Sequence, residues 1–252
     1  MNTIWIYSLL SVALVSLISL IGAITISLSE KRVRGLIFAL VALSVGALFG
    51  DVFIHILPEL YEESTKPDSI AFYVLAGILL FFILEKFFHW HHSHPCEEPH
   101  CEEEHVKPVG NIILFSDALH NFIDGIIIGA SYLISIPVGI ATTIAVILHE
   151  IPQELGDFGV LLYSGYTKKK ALFFNFLSAS VAFLGVLIPL IFGGGDGLAN
   201  IILPIAAGGF IYIAGSDLIP ELHGRPGLRI AFTQFIFIVI GITLMFLLTF
   251  ME

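Results

Sequence analysis

Apolar stretches recur along this chain at roughly 5–28, 36–58, 70–88, 109–132, 137–163, 170–192, 199–221 and 227–250. Each is about as long as the 20 or so residues a helix needs to cross the hydrocarbon core of a bilayer. No other feature constrains the fold so strongly. Of the 252 residues, 57% are hydrophobic and only 13% charged, against about 25% charged in soluble domains. The expectation is an all-α polytopic membrane protein with eight transmembrane helices. Residues 1–252 then form a single transmembrane domain with the lipid bilayer as its main partner. The first stretch is too long for a signal-peptide core and has no Lys or Arg before it, so it reads as a spanning helix.

Lys and Arg set the orientation. Ten of the eleven follow odd-numbered spans: Lys31, Arg32 and Arg34, then Lys86 and Lys107, Lys168, Lys169 and Lys170, and Arg225 and Arg229. Only Lys66 lies elsewhere. The odd connections are therefore expected in the cytoplasm and both termini away from it, in the plasma membrane. The net charge of −10 sits largely in loops and inside the spans, and it points to no nucleic acid. The longest connection, 89–108, is rich in His and Glu. It carries His89, His91, His92, His94, His100 and His105 with Cys96 and Cys101. Their irregular spacing does not match a fixed zinc fold. A cytoplasmic loop with reduced thiols that binds metal weakly is expected instead.

The polar residues of spans four and five carry the chemistry. Asp117, His120, Asn121 and Asp124 are spaced i, i+3, i+4, i+7 on one helical face. His149, Glu150, Gln153, Glu154 and Asp157 form a slightly wider stripe. An ionisable group at bilayer depth costs about 2.5–3.5 kcal/mol or more on insertion scales, so such stripes must be paired, hydrated or bound to a cation. The two helices run antiparallel, which brings His120 and His149 to similar depth. Facing each other, His120, Asp124, His149 and Gln153 would make a four-ligand site. Asn121 and Glu150 would hold a neighbouring position. Imidazole with carboxylate suits Zn²⁺, and also Fe²⁺ or Mn²⁺; no organic cofactor is implied. Asp117, Glu154 and Asp157 continue toward the inner face as an exit path. Asp51 and His55 in span two, with Glu59, and Asp217 with Glu221 in span seven, are vestibule candidates. Pro152 removes an N–H, freeing the carbonyl of Leu148 as a further candidate oxygen ligand and kinking the helix. Gly125, Gly129, Gly156 and Gly159 are expected where helices approach closely.

An internal echo joins the two ends of the chain. Residues 56–60 read ILPEL and 218–222 read LIPEL. Opposed copies would make an inverted repeat of spans 1–3 and 6–8 around a central pair 4–5.

HNFIDG at 120–125 and HEIPQELGD at 149–157 resemble the span-four and span-five signatures of the ZIP family of divalent metal transporters. The order of GDVFIHILPEL, FFILEK, the His-rich loop and NFLSA also fits, so the resemblance covers nearly the whole chain. It implies transport of Zn²⁺, Fe²⁺, Mn²⁺ or Cd²⁺ into the cytoplasm by an elevator-like movement of the central helices. It also implies a main site at His120, Asp124, His149 and Gln153, and a second at Asn121, Glu150 and Gln153. Two positions depart from the pattern: Gln153 stands where the nearest branch has His, and span six carries no acid.

Two other readings use the same residues. A His-Glu-x-x-His helix would make an intramembrane zinc metalloprotease, but Gln153 removes its second imidazole. A metal sensor without flux would use the His-rich loop. If His120 and His149 are ligands they must be neutral, so binding should weaken as pH falls below about 6.5. A homodimer is a further expectation.

Overall fold

A computed structural model of the chain describes residues 2–25, 30–63, 67–92, 106–193, 199–224 and 227–251. Among these residues eight helices are long and apolar enough to cross a membrane. They are α1 Asn2–Ile21, α2 Ile37–Glu62, α3 Pro67–Leu84, α4 Ile113–Ile134, α5 Ile136–Tyr163, α6 Lys168–Phe192, α7 Asn200–His223 and α8 Leu228–Leu248. A helix satisfies every backbone N–H and C=O within itself, which lipid cannot do for it. Ser135 caps α5 by accepting from the Val138 amide, and Thr167 caps α6 in the same way from Lys170.

The helices form two groups. α1, α4, α5 and α6 pack on one another, with α4 lying along α6 and α5. In the second group α2 lies along α8, and α3 along α7. The groups meet where α2 crosses α5 and α7 crosses α4. α3 and α8 turn large apolar side chains outward, among them Phe72, Leu75, Leu79, Phe232 and Phe235. Lipid tails are as apolar as these side chains, so such exposure is the expected outer surface of a membrane bundle.

The internal echo has a backbone counterpart. α2 widens into a π-helical turn at Asp51–Ile56, and α7 does so at Ile213–Leu218. The displacement that aligns Pro58 with Pro220 also aligns these two turns end to end. In each, the residue before the proline bonds five residues back, Leu57 to Val52 and Ile219 to Ala214. A proline has no N–H to give, and a widened turn absorbs the break. The packing follows the same exchange, since the α2–α8 pair corresponds to the α7–α3 pair. Gly46 of α2 lies against the Ile238 carbonyl and Gly241 of α8, while Gly208 of α7 lies against the Val74 carbonyl and Gly77 of α3.

Two expectations change. The helix that contains α3 runs on to His92, so the connection to α4 is shorter than the 89–108 read from composition. No helix breaker precedes Pro95, which explains the extension. His89, His91 and His92 thus belong to that helix, and His94, Cys96, His100, Cys101 and His105 lie outside the described residues. Of the four glycines expected at close contacts, Gly125 and Gly129 do meet α6, at Ala182 and at Val186 and Pro189. Gly156 and Gly159 meet nothing: a Cβ at either would stand in open space.

Candidate metal site

The α4 stripe points inward as its spacing requires. Asp117, Asn121 and Asp124 are buried, and the His120 side chain keeps 20% exposure. On α5, His149, Glu150 and Glu154 are buried, while Gln153 and Asp157 are half-buried. His149 stands halfway along its helix and opposite His120.

The two imidazoles meet edge to face, with their Nε2 atoms 3.3 Å apart. Asp124 Oδ2 is 3.3 Å from His149 Nε2 and 3.7 Å from His120 Nε2. Glu150 Oε1 is 3.4 Å from His120 Nε2 and 3.7 Å from His149 Nε2. One donor atom from each of the four residues lies within 4.8 Å of all the others. His149 Nδ1 is 3.1 Å from the Ala145 carbonyl. That carbonyl only accepts, so Nδ1 carries the hydrogen and Nε2 presents its lone pair to the cluster. Asp124 Oδ2 and both Glu150 oxygens are buried with no hydrogen-bond partner. Four electron-rich atoms converging in a buried place, two of them on carboxylates, is chemistry suited to one divalent cation.

Glu150 is the difference from the sequence reading, which gave it a neighbouring position and put Gln153 in the four-ligand set. A step of one residue turns a helix by about 100°, enough to swing Glu150 from beside His149 onto the face that meets α4. Gln153 lies one turn further along, lining a cavity with His120 and reaching Asp117 with its amide. Asn121 does not face the imidazoles. Its Nδ2 donates to Asp117 Oδ1 at 2.9 Å and to the Asp117 carbonyl at 3.2 Å.

That cavity, about 410 Å³, is lined from α2, α4, α5 and α7. Asp117, Asp157, Asp217 and Glu221 line it with His120 and Gln153. It lies toward the helix ends that lead into the odd-numbered connections. On the opposite side of the cluster stand Ile56, Ile127, Ile128, Val146 and Phe210, none above 1% exposure. The Phe210 ring packs against His149 at 6.0 Å. The cluster is thus reached from one side and closed by apolar packing on the other. Asp51 and His55 sit in the closed half and line no part of this cavity. His55 Nε2 is 2.9 Å from the Met245 carbonyl. Asp51 is buried beside Thr142.

Three residues that support this site were not among the sequence-based site candidates, although NFLSA at 175–179 contains two of them. Ser44 of α2 places its hydroxyl 2.6 Å from the carbonyl of Leu148 and 2.8 Å from that of Leu40. The hydroxyl has one hydrogen to give, and the shorter contact is to the carbonyl that Pro152 leaves free. That oxygen is therefore answered by α2 and is not directed to a metal. Asn175 and Ser178 of α6 hold the acids next to the cluster: Asn175 Nδ2 donates to Glu154 Oε2, and Ser178 Oγ to Asp117 Oδ2 at 2.5 Å. An Asn in an apolar helix is a signal by itself; a Ser is not. Ser44→Ala is expected to cost about 1–3 kcal/mol, the penalty for a buried carbonyl left without a donor. Thermal unfolding of the detergent-solubilised protein would measure it, and an unchanged midpoint would show that Leu148 finds another donor.

Comparison with known proteins gives a consistent result. The family model described as ZIP zinc transporter matches residues 2–108 and 89–249. The Metal cation symporter ZIP14 of Xenopus tropicalis is 31% identical over 287 residues, covering 87% of this chain and 62% of that protein. The Zinc transporter ZIP13 homolog of Drosophila melanogaster is 29% identical over 320 residues, covering 98% and 89%. The Zinc transporter zipt-7.2 of Caenorhabditis elegans is 31% identical over 306 residues, covering 99% and 66%. The chain thus spans less than two thirds of the length of two of these three relatives.

Proposed function

The chain belongs to the ZIP family of zinc transporters, and from that membership together with the four-donor cluster we propose that it carries a divalent metal ion, Zn²⁺ first, across a membrane into the cytoplasm. The observation that carries the reading is the convergence of His120, Asp124, His149 and Glu150 beside a cavity that His120 lines. The two imidazoles favour Zn²⁺, Fe²⁺ or Mn²⁺ over the hard cations, and the two carboxylates neutralise a double charge. Asp117, Gln153, Asp157 and Asp217 give a departing ion oxygen ligands along the way out. The cytoplasmic direction is argued from the Lys and Arg distribution, which favours the inner side for the cavity. Both termini then face away from the cytoplasm, and the plasma membrane is the natural place for uptake. Asp51 and His55 belong to the closed half and would meet the ion only in a conformation open on the other side. Substrate metal takes the place a protease would give to a catalytic water. Glu150 is turned toward both imidazoles, and the position of a second helical imidazole is Gln153.

Liposomes holding a trapped fluorescent indicator would test this with the purified protein. Saturable Zn²⁺ influx, reduced by competing Mn²⁺ or Fe²⁺ in a definite order, is the expected result. Influx no faster than through protein-free vesicles, despite tight Zn²⁺ binding, would turn the reading to a sensor.

A further inference from the structure

The turn between α5 and α6 is remote from the metal cluster: Ser164 follows His149 by 15 residues, about 22 Å along the helix. α5 ends at Tyr163, and Gly165 takes a positive φ of 83°. The Tyr166 amide donates to the Leu161 carbonyl and the Gly165 amide to that of Leu162. This left-handed glycine stop answers the last carbonyls of α5. Thr167 then caps α6, accepting from the Lys170 amide. The amides of Lys168 and Lys169 belong to the first turn of α6 and have no partner within the helix.

A cavity of about 410 Å³ opens at this turn, and its walls include Asn111, Ser164, Tyr166, Thr167, Lys170 and Phe174. No Asp or Glu lines it. Its polar groups are set to give hydrogens. Tyr166 donates its hydroxyl to Asn111 Oδ1, which leaves the Asn111 NH₂ as the free end of that amide. Thr167 Oγ1 accepts at the cap and keeps its own hydrogen to give. Lys170 adds a full positive charge, and the start of α6 a partial one. Ser164 is the buried member, at 1% exposure, and its Oγ has no hydrogen-bond partner among the described residues. That oxygen stands on the side where Asn111 and Tyr166 meet: a Cβ on Gly110 would lie 3.2 Å from it and 2.9 Å from Tyr166 Cε2. Buried hydroxyls are almost always partnered. Donors and positive charge with no acid among them suit the oxygens of a phosphate group.

The surroundings favour a lipid as its carrier. Tyr163 is 79% exposed at the end of its span, and aromatic rings at span ends mark the headgroup level of a bilayer. Phe173, Leu177 and Leu184 are exposed along one face of α6, beginning one turn after Lys170. They give an acyl chain an apolar track that a free phosphate would not use. We propose that this cavity binds the phosphate of an anionic phospholipid in the adjacent leaflet, the cytoplasmic one by the Lys and Arg distribution. Lys170 supplies charge, and Ser164 and Asn111 supply hydrogen bonds. The proposal goes beyond the transport reading and does not depend on it.

The whole chain in a neutral detergent tests this. Phosphatidylglycerol, phosphatidylcholine or inorganic phosphate is added, and bound lipid is counted by native mass spectrometry with melting curves alongside. Phosphatidylglycerol should be retained over phosphatidylcholine by about fivefold or more, the scale of one charge at a membrane surface. Lys170→Gln should reduce that retention by a similar factor, and Ser164→Ala by about tenfold, the scale of a lost bond to a charged group. Asn111→Asp, at an exposed position, puts a negative charge on the wall and should abolish the preference without affecting folding. Lys168→Gln and Lys169→Gln, outside the cavity wall, should change it little. Equal losses from all three lysine variants would mean a diffuse basic surface and overturn the site, as would equal retention of the two lipids. Inorganic phosphate that displaces phosphatidylglycerol and raises the melting temperature as much would overturn the lipid as the ligand.

Discussion

His149→Ala is expected to reduce Zn²⁺ influx into liposomes to about the background of protein-free vesicles, a loss of tenfold or more, where each tenfold corresponds to about 1.4 kcal/mol. The ring is at 1% exposure and uses both nitrogens: one donates to Ala145, the other faces His120, Asp124 and Glu150. Without it, two carboxylates face a single imidazole in a place where the Phe210 packing holds no alternative donor. His120→Ala should be milder, since its ring lies at the cavity and water can take its place as a ligand. Initial rates for both variants, with melting temperatures as a folding control, would decide. A well-folded His149→Ala protein that transports at the wild-type rate would remove the cluster from the pathway.

Much of this site was readable from one line of sequence because the bilayer makes polar residues conspicuous. Asp117, His120, Asn121 and Asp124 fall on one face at helical spacing, and no apolar helix carries such a stripe without cause. The eight spans were readable for the same reason, with ends adjusted by a few residues. What could not be read was rotation within a helix. Glu150 and Gln153 are three residues apart on α5, and which of them meets the imidazoles depends on how α5 is turned against α4. Contacts from another helix were equally hidden. Nothing local to Ser44 marks it as the donor for Leu148, and the break at Pro152 alone suggested a metal ligand that α2 had already claimed. The echo of ILPEL and LIPEL was visible, but a five-residue match says nothing of a π turn. The two widened turns and the exchanged helix pairs supply that.

The exchanged pairs make the second large prediction, on folding. Gly46→Ala and Gly208→Ala are each expected to destabilise the protein by about 1–3 kcal/mol or more, the usual range for overpacking. A methyl at Gly46 would press on the backbone carbonyl of Ile238, and one at Gly208 on that of Val74. Neither obstacle is the end of a flexible side chain, so the helices themselves must separate. Small residues drive helix association in lipid by permitting such contact, because no hydrophobic force between helices replaces it. The two sites occupy equivalent places in the α2–α8 and α7–α3 pairs, so their costs should be similar. Gly156→Ala supplies the contrast: its Cβ meets nothing, and alanine is the better helix former by about 1 kcal/mol. That variant should unfold at the same temperature as the wild type or slightly above it. Thermal unfolding in detergent would rank the three. A Gly46 variant as stable as the Gly156 one would show that α2 and α8 are free to move apart, and one far less stable than the Gly208 variant would show that the two halves, though equivalent in form, do not share the load equally.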